Sequence, residues 1–177
     1  MGTTHSSLVL NAMQLLSNEG SWCGETHIQK TVYLCQAVLG APAEFKFVLY
    51  KHGPYSFQLS DHLQKLISDS LVRVLPQPPP YGPSLGVTED AVKITTKSKI
   101  DGALLQRIGT LSKKLSSKTV SDLEKLATAV YVKRNFDQAA TPEKRAAKMH
   151  ELKPHVSVEA ALIAIREADT IEIELAA

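Results

Sequence analysis

Cysteine is scarce: Cys23 and Cys35 are the 2 in 177 residues. That is too few for a disulfide scaffold or a four-cysteine zinc site. Aromatic residues make up only 6% of the chain, and 20 Lys+Arg against 18 Asp+Glu leave a formal charge of +2. So even a balance excludes a strongly basic chain that coats nucleic acid without specificity. No apolar run approaches the roughly 18–20 residues of a membrane span, and residues 1–7 lack a basic region leading into a signal-type core. These absences predict a soluble cytoplasmic protein with no membrane partner. What the chain does have is 44% hydrophobic residues, enough for one sizeable core. Wholesale disorder is excluded on the same ground.

Charge is unevenly distributed. Residues 1–95 are nearly balanced, residues 96–148 carry 12 basic against 5 acidic side chains, and residues 149–177 are acidic. A basic middle beside an acidic tail either makes an anion-binding face or is neutralised within the fold.

Residues 7–18 predict a helix with Leu8, Ala12, Leu15 and Leu16 on one face. Thr26-His27-Ile28-Gln29 fits a capping box, and Ile28, Val32, Cys35 and Leu39 then recur at the spacing of a buried helical stripe that Gly40 stops. Residues 45–50 read as a strand, broken by His52-Gly53-Pro54. Ser56 caps a third helix to about Asp69, with Leu59, Leu63, Leu66 and Ile67 inward. Residues 71–75 read as a second strand, a proline-rich loop follows, and Val92-Lys93-Ile94-Thr95 reads as the returning strand. Beyond lie four helical segments. Ile100, Leu104, Ile108, Leu111 and Leu115 form a stripe, Ser121-Asp122-Leu123-Glu124 fits a second capping box, Thr141-Pro142 opens a helix that Lys153-Pro154 ends, and Ser157 caps the last. The predicted fold class is α+β, mostly helical: a winged-helix-like domain over residues 1–96, and a helical extension over 97–177 packed on it as one compact unit.

Two segments carry a resemblance. Ile28-Gln29-Lys30-Thr31-Val32-Tyr33-Leu34-Cys35-Gln36 resembles the LQKLLYxxQ stretch of SocA-like or Panacea domains, a phage-associated and antitoxin family. Tyr50-Lys51-His52-Gly53-Pro54-Tyr55-Ser56 resembles that group's glycine-proline turn and is closer still to YwgA-like winged-helix proteins. In those, a late segment similar to Leu152-Lys153-Pro154-His155-Val156-Ser157 also recurs. The resemblance implies a regulatory or protein-neutralising module without known catalysis, acting on a protein partner such as a toxin.

The candidate partner-binding residues are Lys30, Tyr33 and Gln36 on the helix face away from the Ile28 stripe, with His52, Tyr55, Gln58 and His62 around the turn and third helix. Beside this stands a structural reading: Tyr33 packs under the Tyr50 turn, and His52-Gly53-Pro54 exists for backbone geometry. The third helix holds one cation, Lys65, against Asp61 and Asp69, a poor complement to a major groove. The alternative is a DNA-binding transcriptional regulator that uses the wing and the basic helix over 97–118, with Lys97, Lys99, Arg107, Lys113, Lys114 and Lys118 on phosphates. Catalytic signals are weak. His150 and His155 sit on either side of Pro154, Cys35 lies on an apolar stripe, and no phosphate-binding glycine motif occurs. No enzyme activity, cofactor or metal is expected.

Overall fold

The computed structural model describes residues 2–79, 82–96, 100–136 and 140–176. Among these residues the chain is mostly helical, with two small antiparallel sheets, and the α+β class holds. No helix among them is long and apolar enough to cross a membrane.

Helix α1 (Gly2–Asn18) begins five residues before the expected helix does. It packs on α2 (Glu25–Leu39), whose nine consecutive residues His27, Ile28, Gln29, Lys30, Thr31, Val32, Tyr33, Leu34 and Cys35 are all buried. Only a helix covered on every side shows that pattern. The cover comes from α1, from α5 (Gly102–Leu115), α6 (Val120–Asn135) and α8 (Val158–Ala176), and from the hairpin described next. One cluster of buried side chains runs from Leu8 to Leu175 and joins both halves of the chain. Helix α7 (Pro142–Leu152) closes the outer side against α6 and α8.

Strand β1 (Val48–Tyr50) pairs with β2 (Gly53–Tyr55) in a tight hairpin, with Tyr50 opposite Gly53. The expected strand over 45–50 is therefore half as long. Its first part is held by side chains instead: Gln36 brackets Phe45, accepting from its amide at 3.0 Å and donating to its carbonyl at 2.9 Å. Ser56 caps α3 (Phe57–Ser68) as expected, accepting from the Leu59 amide. Strand β3 (Val72–Leu75) then pairs with β4 (Ser84–Val87).

Three expectations need correction. Val92 to Thr95 is not the returning strand; it lies in helix α4 (Glu89–Thr96), and β4 precedes it. The β-branched side chains favour a strand, but Thr88 takes the Ala91 amide, two acidic residues sit in the first turn, and Thr95 and Thr96 bond back to the Val92 carbonyl. The capping box at Thr26 does not form, because Gly24 is the N-cap and Gln29 is committed to Ser56. The second box sits two residues earlier than expected. Thr119 caps α6 and pairs with Asp122, which frees Glu124 to point inward.

Gly53 has φ +82°, and a Cβ there would stand 3.0 Å from Thr128 Oγ1 and 3.2 Å from the Glu124 carbonyl. Gly40 has φ +66° with open space around it. Gly40→Ala should therefore cost about 1 kcal/mol of backbone strain, and Gly53→Ala about 2–4 kcal/mol, because strain and a clash with α6 combine. Urea unfolding of the two variants checks the ratio.

Candidate functional site

Buried charge in this fold is concentrated beneath the turn between β1 and β2. Two lysines from distant elements grip its carbonyls. Lys30, mid-α2 and 1% exposed, donates to the Pro54 carbonyl at 2.8 Å. Lys153, which follows α7, donates to the carbonyls of Tyr50 and Lys51 at 2.5 and 2.6 Å. Glu124 of α6, also buried, lies 3.4 Å from the Lys153 ammonium. Burial lowers the Lys30 ammonium well below the ordinary lysine value, to about 8; Glu124 opposes that shift and Lys153 adds to it.

On the solvent side two imidazoles cover the Glu124 carboxylate. His155 Nε2 donates to it at 3.1 Å, and His52 Nδ1 lies 3.6 Å from its other oxygen. Beside them the hairpin displays an interlocked aromatic group. The rings of Tyr50, Tyr55 and Phe57 stand 5.1–5.7 Å apart, with Phe57 edge-on to both tyrosines. Tyr50 is 55% exposed and Phe57 56% exposed, and Val48 beside them is also exposed. The Tyr55 hydroxyl donates to Glu25 at 3.0 Å, and Ser60 donates to the same oxygen at 2.8 Å.

The predicted partner-binding residues separate accordingly. Lys30 and Tyr33 are buried, so the face they share is no free surface, because α6, α8 and the hairpin cover it. Tyr33 packs edge-on to Phe47 at 5.0 Å rather than under Tyr50, and its hydroxyl has no hydrogen-bond partner among the described residues. Burial pushes that phenol far up. Gln36 and Gln58 are occupied with backbone groups of Phe45 and Lys46. His62, with its pKa lowered chiefly by burial, reaches Ser6 at 3.3 Å. His52 and Tyr55 remain at the accessible hairpin.

Sequence reasoning missed Glu124, read as a capping residue, and Lys153, read as a helix terminator. A carboxylate within the apolar run Leu123, Leu126, Ala127 and Val130 was the available signal. It also missed Tyr50 and Phe57, although they flank the turn it singled out.

The basic stretch meets the acidic tail. Lys114 pairs with Glu174, Lys118 with Glu167 at 2.6 Å, and Arg107 donates to the Leu175 carbonyl at 2.8 Å. Further along, Lys133 and Arg145 both hold Asp169, and Arg145 pulls that carboxyl below its ordinary range. Lys113 is exposed, whereas Lys97 and Lys99 lie outside the described residues. Among the described residues no group of His, Cys, Asp or Glu is arranged to hold a metal ion. Both thiols are buried, and burial drives Cys35 up to about 12 and also raises Cys23, so neither is a ready nucleophile.

Two substitutions check this arrangement. Lys30→Met orphans the Pro54 carbonyl and should cost about 1–3 kcal/mol at pH 7. Folded Lys30 loses its proton near pH 8, and the unfolded side chain only near about 10.4, so between those values the unfolded state binds more protons and wild-type stability rises. The gap between wild type and Lys30→Met should therefore widen from pH 7 to pH 9.5 in paired urea melts. Tyr33→Phe removes a buried, unpartnered hydroxyl and should be neutral or stabilising by up to about 1 kcal/mol in thermal unfolding.

No protein-family model matches the sequence, and no curated protein matches it.

Proposed function

We propose that the chain is a non-enzymatic protein-interaction module of regulatory or antitoxin-like kind, with the β1–β2 hairpin and the start of α3 as its docking face. One observation carries the reading: three aromatic rings, two of them more than half exposed, lock together where the start of α3 meets a hairpin whose turn is clamped from beneath. Rigid aromatic anchors lose little entropy on binding and supply most of the energy at protein interfaces. Lys46, Lys51 and His52 are exposed around them, a rim suited to an acidic partner. Residues 1–96 are read here as winged-helix-like, with α2 and α3 as its helical pair and β3–β4 as the wing. On this reading α3 presents Phe57, Gln58, Asp61, Gln64 and Lys65 outward, and with Lys65 beside Asp69 that surface suits protein better than polyanion.

The alternative, a DNA-binding regulator working through residues 97–118, is weakened by the pairing of Lys114 and Lys118 with α8. Crosslinking and mobility shifts decide between the two. A photo-crosslinking residue at position 57 should give a discrete protein adduct in native cells, and one at the exposed position 151 should not. Tyr50→Ser should abolish the adduct while changing stability by less than about 1 kcal/mol. Duplex DNA binding with a steep salt slope, lost in Lys113→Glu with Lys114→Glu, would overturn the proposal.

A further inference from the structure

A cleft of 510 Å³ opens between the start of α2, the outer side of α3, the β3–β4 hairpin and the start of α6. That volume falls in the range of small-molecule sites, roughly 300–1,000 Å³. Leu63, Ile67, Val74, Leu85 and Val120 give it an apolar lining, and the Tyr55–Glu25 hydrogen bond ties it to the back of the aromatic group without including Tyr50 or Phe57. Two features distinguish it from a mere gap between elements.

The first is Glu25, the one acidic or basic side chain among the described lining residues apart from His27. Hydroxyls of Tyr55 and Ser60 both donate to its Oε1 and fix the carboxylate in place. Among the described residues no Lys, Arg or His lies within salt-bridge distance of it, and Lys30 acts on it only from farther away, whereas Glu167, Asp169, Glu172 and Glu174 of α8 all have direct partners. His27 does not offset the charge: it is buried, its pKa is lowered mainly by desolvation, and its Nε2 donates to the Lys118 carbonyl at 3.0 Å.

The second is Trp22. Its indole lies so close over Gly24 that a Cβ there would stand 2.8 Å from Cδ1 and 2.9 Å from Nε1. The bare glycine is what lets the ring fold back to the mouth of the cleft. Trp22 is 38% exposed there, an aromatic surface beside a fixed, unpaired carboxylate.

The geometry points to this cleft as a binding site for a small organic cation: an ammonium or guanidinium group on an apolar body, with the cation held at Glu25 and Trp22 and the body laid on Ile67, Val74 and Val120. A carboxylate and an indole face both favour positive charge, and partial desolvation strengthens each. A ligand of this kind gives Glu25 a direct ion pair in place of the longer-range pull of Lys30, and it covers apolar surface that the fold leaves open.

The chain holds a single tryptophan, so fluorescence reads this site directly. The full chain is titrated with 4-phenylbutylamine, with 4-phenylbutyrate, which differs only in the sign of its charge, and with an acetylated, amidated Leu-Arg-Leu peptide. The expected result is a saturable change with the amine bound at least about tenfold more tightly than the acid. Glu25→Gln keeps an acceptor for Tyr55 and Ser60 while removing the charge, and it should bring the two affinities within about twofold. Val120→Phe, a substitution at a half-exposed position, fills the cleft and should weaken the amine about tenfold with the melting temperature unchanged. It serves as the deciding variant if Glu25→Gln does not fold. Equal binding of amine and acid, no saturable change, or an amine affinity indifferent to both substitutions would overturn the proposal. Tighter binding of the peptide than of the amine would overturn it too, reassigning the cleft to a partner's side chain.

Discussion

Three charged side chains hold one turn, and much of the architecture is arranged around that fact. Lys30, Lys153 and Glu124 come from three elements, yet they converge under the carbonyls of Tyr50, Lys51 and Pro54. Ammonium groups in such a place are stable only when their donors are used and a counter-charge is near, and removing one member leaves the others' buried polar atoms unsatisfied. Gly53 is bound up with the same contact. Its positive φ turns the chain, and its missing side chain lets β2 rest against α6. The aromatic rings above owe their fixed positions to this foundation together with their own edge-on contacts and the Tyr55–Glu25 hydrogen bond.

The distribution of charge has a second consequence. A chain with a basic middle and an acidic tail folds so that the two face each other across α5, α6, α7 and α8. Most of these pairs are partly exposed, and each adds little stability alone. Their larger effect is on potential, since cations paired along α8 present less field to a phosphate backbone than the count of lysines suggests.

Much of the helical scaffold was legible in the sequence because apolar spacing and caps are local. The Ile28 stripe, Ser56, Thr141-Pro142 and Ser157 all act within a turn or two of themselves. The failures have one physical origin. Periodicity marks the face of α2 that meets other apolar residues, but it does not show that Lys30 and Gln29 are buried against backbone carbonyls 24 and 27 residues away. The helix at Val92 was missed for the opposite reason: local propensity favoured a strand, and a single threonine cap outweighed it. At the hairpin, the turn itself was readable from Gly53 and Pro54. Its anchors were not, because Glu124 and Lys153 are adjacent only in the folded chain.

The separation between Lys153 and the carbonyls it holds, 102 and 103 residues along the chain, sets an order of events during synthesis. A ribosome that has released only the first half has made the turn and Lys30, but not Glu124 or Lys153. Such long-range closure comes late in folding, so the hairpin gains its final rigidity only after the segment behind α7 has emerged. A fragment truncated before that point would contain every aromatic residue of the display and Lys30, yet lack the Lys153 half of the clamp.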